Sequence, residues 1–203
     1  MRIIDLSVPL NGQTPTYLGE AKPQVTETHS LARNGFLGHS LCVATHVGTH
    51  LDAPIHMIAD GLAVNAVALE RTTGRLVYVA AHNGYQLAAL EALDIQQGDA
   101  VIFHTGFSDK YHEPSYFTDY PEMPDAVAAY LADRQVYLVG SDTYSIDKTP
   151  YPQHHYLLSR NILLLENLTN LQAVRAGNYM LCAFPLNVAL DGSPVRAVAI
   201  EQL

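Results

Sequence analysis

Cysteine and tryptophan are nearly missing from this 203-residue chain, which has two cysteines, Cys42 and Cys182, and no tryptophan. Both cysteines lie in apolar stretches, and neither belongs to a Cys-x-x-Cys pair. The sequence therefore predicts two buried free thiols in a reducing compartment. It also argues against a disulfide scaffold and against a closed structural metal site built from cysteine.

Positive charge is scarce as well. The chain has 11 lysines and arginines against 20 aspartates and glutamates, which gives a formal net charge of −9. No cluster of Lys or Arg interrupts this balance, whereas binding to a phosphate backbone requires local positive charge. The sequence therefore predicts no nucleic-acid partner.

Long hydrophobic runs are also missing. A helix needs about 20 consecutive apolar residues to cross a bilayer, but the longest candidate run, 162–165, ends at Glu166. Near the amino terminus, Asp5 interrupts the position that the apolar core of a signal peptide would occupy. We therefore expect a cytoplasmic protein with no membrane partner.

The composition itself is that of a globular protein, with 48% hydrophobic and 15% charged residues. No repeat, low-complexity tract or linker divides the chain, so residues 1–203 are expected to form a single domain. Short runs of β-branched and aromatic residues predict strands over Ile3–Val8, Phe36–Thr45, Leu76–Ala80, Ala100–His104, Val136–Gly140, Ile162–Leu165, Tyr179–Ala189 and Val195–Ile200. Helical spacing predicts helices over Tyr85–Ala92 and Pro124–Asp133. This order favours an α/β fold, with a mixed and partly parallel β-sheet core and flanking helices.

Residues 107–121 are aromatic and rich in turn residues, and they have no usable periodicity. Such loops in compact domains are often lids or binding loops, and a plain surface loop is the alternative. Periodicity leaves the role of this loop open.

Histidine is the residue type that stands out. The chain has ten histidines, and five of them fall between residues 29 and 56. The densest stretch reads Thr45-His46-Val47-Gly48-Thr49-His50-Leu51-Asp52-Ala53-Pro54-Ile55-His56. Its glycine, proline and β-branched residues argue against a helix.

An extended strand would place His46 and His50 on one face but roughly 13 Å apart. Metal bonds to imidazole nitrogen and carboxylate oxygen are about 2.0–2.2 Å long, so the chain must bend if these histidines share an ion. Gly48 can adopt the required dihedral angles. His46, His50 and Asp52 are thus candidate ligands of an open catalytic site, with zinc as the first choice and manganese as an alternative. The competing interpretation is a polar strand edge without a metal.

A second group of polar residues follows later in the chain. Glu166 comes directly after four apolar residues, at the end of a predicted buried strand. A carboxylate buried there needs a cation, a hydrogen-bond donor or a metal. The alternative is a strand-end glutamate that faces water.

At these positions the sequence resembles the cyclase family of metal-dependent hydrolases, which includes bacterial kynurenine formamidase and isatin hydrolase. The family pattern His-x-Gly-Thr-His-x-Asp-x-Pro-x-His is complete here, from His46 to His56. Further matching segments span nearly the whole chain: Asp5-Leu6-Ser7 with Pro9, Thr105-Gly106, Gly140-Ser141-Asp142-Thr143 with Ser145 and Asp147, Pro185-Leu186, and Gly192-Ser193-Pro194-Val195-Arg196-Ala197.

The resemblance implies a swivelling β/β/α-type fold, a homodimer or higher oligomer, and two divalent ions per chain. His46, His50 and Asp52 would bind one ion, and Asp52 would bridge to the second. The later ligands of the family are a histidine and a glutamate twelve residues apart, a spacing to Glu166 that His154 fits and His155 does not. His154 and Glu166 would therefore complete the second site, and His56 would be the catalytic acid/base.

The implied activity is hydrolysis of a small-molecule amide by metal-bound hydroxide, with an aryl formamide as the first choice of substrate. Opening of a cyclic amide or a lactone is the alternative, and a metal-binding protein without turnover is a third possibility. Relatives that act on formylkynurenine carry Trp-Pro-Gly-Asp near the amino terminus, where this chain has Tyr17-Leu18-Gly19-Glu20. Tyr17 is a candidate substrate-binding residue, because its ring could stack on an aromatic substrate.

Overall fold

Strand Ala100–His104 is apolar until its last residue, and its first four residues are fully buried. Such a run is typical of a strand covered on both faces of a largely parallel sheet. The computed structural model, which describes residues 1–17, 19–175 and 177–202, places this strand inside a nine-stranded mixed sheet. The predicted mixed α/β fold with partly parallel pairing is therefore confirmed.

The strands are β1 (Ile3–Asp5), β2 (Gln24–His29), β3 (Gly38–Cys42), β4 (His50–Asp52), β5 (Thr73–Ala80), β6 (Ala100–His104), β7 (Leu138–Ser141), β8 (Leu163–Glu166), β9 (Tyr179–Cys182), β10 (Gly192–Pro194) and β11 (Val198–Glu201). The helices are α1 (Leu31–Asn34), α2 (Leu87–Glu91), α3 (Asp125–Asp133) and α4 (Pro152–Leu158), with short 3-10 turns between them. The large sheet has the order β1-β11-β9-β5-β6-β7-β8-β4-β10, and β2 pairs only with β3 in a separate ribbon.

Neighbouring strands from β5 to β8 are parallel, and the remaining pairs of the large sheet are antiparallel. The core forms on both faces of this sheet because side chains alternate along each strand. On β6, Ile102 joins one apolar cluster, while Val101 and Phe103 join the other. Residues of α2, α3 and α4 pack into the second cluster, so the helices cover that face.

Several sequence predictions need correction. The predicted strand Tyr179–Ala189 ends at Cys182, three residues before Pro185, which cannot donate to a strand ladder. The predicted strand Phe36–Thr45 is limited to Gly38–Cys42, where it pairs with the unpredicted β2. Helix α4 was also missed. Cys182 is a buried free cysteine as predicted, but Cys42 is exposed on the ribbon.

The loop at 107–121 contains two short 3-10 turns, Phe107–Lys110 and Pro114–Phe117. Tyr116 anchors it, because this ring is fully buried and its hydroxyl donates to the side chain of Asn167 at 2.9 Å. Among the described residues, no helix is long and apolar enough to cross a membrane.

Candidate metal centre

The short strand β4 carries two of the predicted ligands into the sheet. It lies between β8 and β10, with His50 opposite Glu166 on one side and Asp52 opposite Gly192 on the other. Directly opposed residues place their side chains on the same face, and so do residues two apart on one strand. The antiparallel register therefore brings His50, Asp52 and Glu166 together, although Glu166 is more than one hundred residues away in sequence.

The predicted bend before β4 is confirmed. Gly48 has a φ of 69°, a left-handed conformation that glycine adopts at little cost. The bend returns the chain so that the rings of His46 and His50 lie 5.1 Å apart, edge to face. Gly192 accommodates the returning ring, because a Cβ atom at that position would lie 2.6 Å from Cε1 of His46.

Two buried imidazoles are oriented by hydrogen bonds on the side away from the centre. The Nδ1–H of His50 donates to the carbonyl of Gly48 at 2.8 Å, and the Nδ1–H of His154 donates to Asp147 at 2.5 Å. Each bond leaves Nε2 as the atom that faces the centre. This is how histidine ligands of metal sites are commonly held.

The two carboxylates meet these Nε2 atoms at similar distances. His50 Nε2 lies 3.3 Å from Asp52 Oδ1 and 3.5 Å from Glu166 Oε2. On the other side, His154 Nε2 lies 3.7 Å from Asp52 Oδ2 and 3.4 Å from Glu166 Oε1. Each carboxylate thus offers one oxygen to His50 and the other to His154.

This arrangement fits a metal centre. Asp52 Oδ2 and Glu166 Oε1 are buried without any hydrogen-bond partner among the described residues, and an unsatisfied buried carboxylate oxygen is costly. Ligand atoms about 2.1 Å from a tetrahedral ion are roughly 3.4 Å from one another, close to the observed spacing. Among the residues that the structure describes, two overlapping groups have ligand atoms near enough to hold an ion: His46, Asp52 and His56, and His50, Asp52 and Glu166.

His46 lies at the edge of the cluster and contacts a residue that the sequence did not indicate. Its Nδ1 is 2.7 Å from Asp52 Oδ1, and its Nε2 is 2.8 Å from Oδ2 of Asp191. His46 is therefore paired with both carboxylates here, and it belongs to the ion-holding group that contains His56 rather than to the one that contains His50.

The cluster concentrates negative potential, as the pKa values of its histidines indicate. Burial opposes the charged form of His46, but the carboxylates of Asp52 and Asp191 outweigh it and raise the pKa of His46 to about 9. Burial likewise disfavours the charged form of His154, but its hydrogen bond to Asp147 and the nearby carboxylates of Glu166 and Asp52 raise its pKa to about 10. Buried sites that attract protons in this way also favour a divalent cation.

His56 ends the 3-10 turn Pro54–His56 and faces the same cavity. Its ring lies 4.1 Å from the ring of His46, and its Nδ1 is 3.4 Å from Oδ2 of Asp191. Burial lowers the pKa of His56, and this effect exceeds the opposing influence of Asp52. The ring is therefore neutral near pH 7, with Nε2 able to accept a proton while Asp191 engages Nδ1.

The cluster of His46, His50, Asp52, His56, His154 and Glu166 lines a cavity of about 250 Å³, and three of the other lining residues are tyrosines. Tyr17, the candidate substrate-binding residue, lines this cavity and stacks on Tyr144, with ring centroids 5.4 Å apart. The remaining lining residues outside the His/Asp/Glu cluster are Glu20, Met57, Ser145 and Tyr151.

Of the two adjacent histidines, His154, which the resemblance favours, is buried in the cluster, and His155 is exposed. Asp191 was missed, because a single aspartate in a turn carries no pattern that indicates its contacts. Asp147 lies in a segment that matches the cyclase family. Its contact with His154 could not be predicted, because it forms only once helix α4 has folded.

Comparisons with known proteins show the family of the chain. The family model named Cyclase matches residues 4–148. Kynurenine formamidase of Salinibacter ruber is 36% identical over 213 residues, covering 98% of this chain and 97% of the relative. Kynurenine formamidase of Bacillus mycoides is 32% identical over 203 residues, covering 96% and 95%.

Among solved structures, an isatin hydrolase bound to the product analogue thioisatinate superposes with a TM-score of 0.88 at 21% identity, covering 98% of this chain and 92% of that one. A potential metal-dependent hydrolase with cyclase activity superposes with a TM-score of 0.83 at 26% identity, covering 100% and 98%. The family match over most of the chain and the near-complete alignments agree with the complete motif around His50. The chain therefore belongs to the cyclase family.

Proposed function

We propose that this protein is a divalent-metal-dependent hydrolase that cleaves the amide C–N bond of a small aryl formamide and releases formate. One observation carries the proposal: Asp52 and Glu166 each turn a buried oxygen toward Nε2 of His154, and neither oxygen has a hydrogen-bond partner within the described ranges. Both carboxylates line the cavity that also contains the rings of Tyr17 and Tyr144. The similarity to kynurenine formamidases supports the choice of an aryl formamide.

The proposed ligands form two sets that share the carboxylates. His46, His50 and Asp52 would hold one ion, and Asp52, which belongs to both ion-holding groups, connects His46 with His50. His154 would hold the second ion, with Asp52 and Glu166 as bridges. Asp52 and Glu166 each direct one oxygen toward His50 and the other toward His154. This arrangement supports the proposal that each carboxylate would bridge the two ions. The nitrogen and oxygen donors suit zinc, with manganese as the alternative.

When bound, such ions supply Lewis acidity and lower the pKa of water toward neutrality. The protein moves the proton: His56 accepts it at Nε2 from the attacking water and returns it to the departing nitrogen. Asp191 engages Nδ1 of His56, which fixes the tautomer that this transfer needs. The rings of Tyr17 and Tyr144 provide a flat apolar wall for the aryl group.

Opening of a cyclic amide is the second candidate. The likeness to an isatin hydrolase and the flat tyrosine wall, which suits a fused bicyclic ring, favour it. A lactone is a further alternative of the same kind, and a metal-binding role without turnover is the non-enzymatic one. A homodimer or higher oligomer in the cytoplasm completes the proposal.

The test is a substrate screen with protein loaded separately with Zn²⁺ and Mn²⁺, against formanilides, cyclic amides and lactones of similar size. We expect release of formate from formanilides, its loss after chelation and its return when the metal is added back. Ring opening of the cyclic substrates without formate release from formanilides would favour the second candidate. A metal-loaded protein inactive on all three classes would overturn the enzymatic proposal.

A further inference from the structure

A separate cavity of about 360 Å³ lies at the end of the parallel strands opposite to the metal centre. We call it the basal cavity, and its lining includes Gln97, Tyr137 and Ile162. Tyr137 directly precedes β7, and Ile162 directly precedes β8. Because Glu166 is the last residue of β8, the basal cavity and the metal centre lie at opposite ends of this strand.

The basal cavity is a local site of positive charge. Arg71 and Arg160 line it, and none of its described lining residues is acidic. Nη1 of Arg71 donates to the carbonyl of Asn161 at 2.7 Å, which places its guanidinium group beside the residue that follows Arg160. Four other basic side chains are paired with carboxylates, whereas neither of these two forms a salt bridge within the described parts of the chain. In a chain with a net charge of −9, such a site favours an anion.

Both guanidinium groups are held through Nη1. Nη1 of Arg160 donates to the carbonyl of Tyr156 at 2.9 Å and to the hydroxyl oxygen of Ser159 at 3.2 Å. The two groups also lie over aromatic rings, Arg160 at 3.7 Å from the centre of the Tyr156 ring and Arg71 at 4.7 Å from the centre of the Tyr137 ring. Nε–H and Nη2–H of both arginines have no hydrogen-bond partner among the residues that the structure describes.

Two other arginines of the chain show what the edge formed by Nε–H and Nη2–H binds. Arg75 donates from Nε and Nη2 to the two carboxylate oxygens of Asp99, at 3.0 and 2.7 Å. Arg196 binds Asp5 in the same way, at 2.8 and 2.7 Å. This edge therefore holds two oxygens of one anion side by side. Two such edges at one cavity suit an anion that has more than two oxygens and more than one negative charge.

The remaining walls indicate that the anion carries an organic group. Val136 and Ile162 contribute buried apolar side chains, and the amides of Gln97 and Gln135 and the hydroxyl of Tyr137 are neutral donors. The basal cavity is also larger than the catalytic cavity of about 250 Å³. It therefore has space for a small apolar group next to the charged end of a ligand.

We propose that the basal cavity binds a small phosphate monoester, whose phosphate is held between Arg71 and Arg160. A phosphate monoester has a charge of about −1.5 to −2 at pH 7 and three free oxygens, which matches two guanidinium edges. A carboxylate has one charge and two oxygens, and it would engage only one edge. The inference goes beyond the proposed function and does not depend on it, because the basal cavity shares no lining residue with the catalytic cavity.

The binding experiment is calorimetry of the metal-loaded protein with phenyl phosphate, and with benzoate for comparison. The wild-type protein should bind phenyl phosphate more tightly than benzoate. Arg71→Gln and Arg160→Gln should each weaken the binding of phenyl phosphate about tenfold, because a charge-assisted hydrogen bond to the anion is lost.

Two further variants act as controls. Arg134 also lies over a tyrosine ring, 4.9 Å from the centre of Tyr130, and donates to the carbonyl of Ile95, but it does not line the basal cavity. Arg134→Gln should therefore bind phenyl phosphate as the wild-type protein does. Arg71→Lys keeps the charge but loses the paired donors, so its affinity should lie between those of the wild-type protein and Arg71→Gln.

Nuclear magnetic resonance of the wild-type protein gives a second measurement that does not depend on how the variants fold. Phenyl phosphate should shift the Nε–H signals of Arg71 and Arg160 and leave that of Arg134 in place. Phosphate bound to the metal ions instead would be lost after chelation and would have equal affinity in Arg71→Gln and Arg160→Gln. That result, a lack of binding, or an affinity for benzoate equal to that for phenyl phosphate would overturn the inference.

Discussion

Asp52 is the residue on which the site is centred. Burial alone would raise the pKa of its carboxyl group, but the neighbouring His46 and His50 hold it well below its usual range. The side chain is therefore an ionised carboxylate in a fully buried position, where charge is tolerated only when it is compensated. One of its oxygens has no hydrogen-bond partner within the described parts of the chain, so a bound cation is the natural compensation.

Separate replacement of Asp52 and His56 should show that the first residue is needed for metal binding and the second for turnover. Asp52→Ala should lose bound metal, because it removes the carboxylate shared by the two proposed ion sites. His56→Ala should keep the metal but lower kcat about 10²–10⁴-fold, the usual contribution of an acid/base residue. The measurements are metal content by mass spectrometry and formate release. Equal metal content and equal activity in both variants would refute this division of roles.

At the residue scale, local sequence could predict those contacts that depend on spacing along the chain. The spacing of His46, His50 and Asp52 required a bend, and only Gly48 could supply it. The choice of His154 over the adjacent His155 came from the resemblance, because the ligands of the family are a histidine and a glutamate twelve residues apart. The role of Asp191 could not be predicted, because its contacts with His46 and His56 span more than 130 residues.

Helix α4 shows how one element serves both the fold and the site. Asp147 lies before the helix and accepts backbone N–H groups of Gln153 at 2.6 Å and His154 at 3.2 Å. The same carboxylate accepts Nδ1–H of His154. Asp147 thus satisfies donors of the first helical turn and fixes the ring of a proposed ligand at the same time.

Asp147→Ala should therefore affect both properties. Loss of the helix cap should lower the free energy of unfolding by about 1 kcal/mol, and loss of the bond to His154 should weaken metal binding about 10–100-fold. Chemical denaturation and metal titration measure the two effects. Asp133→Ala is the control, because it removes an exposed carboxylate from α3. Unchanged metal affinity in Asp147→Ala would show that His154 does not depend on this bond.

At the element scale, strands and helices were predicted correctly where a single sequence pattern was clear. The limits of β6 were predicted correctly because its residues are apolar and bounded by turns. Helix α4 was missed because two histidines and the preceding prolines obscure its periodicity, and its conformation depends on Asp147. Strand β2 was missed because five of its six residues are exposed, so it shows no alternation of apolar and polar residues.

At the scale of the whole molecule, the candidate metal centre is formed by residues that are far apart in the sequence. Its residues come from the region of β4, from α4 and from β8, while Asp191 precedes β10. A bound ion therefore links the amino-terminal third and the carboxyl-terminal third of the chain through side chains that all lie within one cluster. Binding at such a site stabilises the folded state, because the unfolded chain does not hold these ligands together.

Removal of the metal should consequently lower Tm. A ligand present at 100 times its Kd stabilises the folded state by about 2.7 kcal/mol, and each kcal/mol shifts Tm by about 2–4 °C for a chain of this size. Calorimetry should therefore show a fall of about 5–10 °C after chelation in the wild-type protein and in His56→Ala, and none in Asp52→Ala. An unchanged wild-type Tm despite complete loss of metal would contradict this picture.

The proposed ligands and the cavity walls have different structural supports. Two strands of the large sheet and helix α4 hold His50, Asp52, His154 and Glu166. The cavity residues Tyr17, Tyr144 and Tyr151 lie instead on connecting segments. Loops accept sequence change more readily than the strands beneath them. Selection could therefore alter which molecules are admitted while leaving the reactive centre untouched, and a designer could follow the same route to a new selectivity.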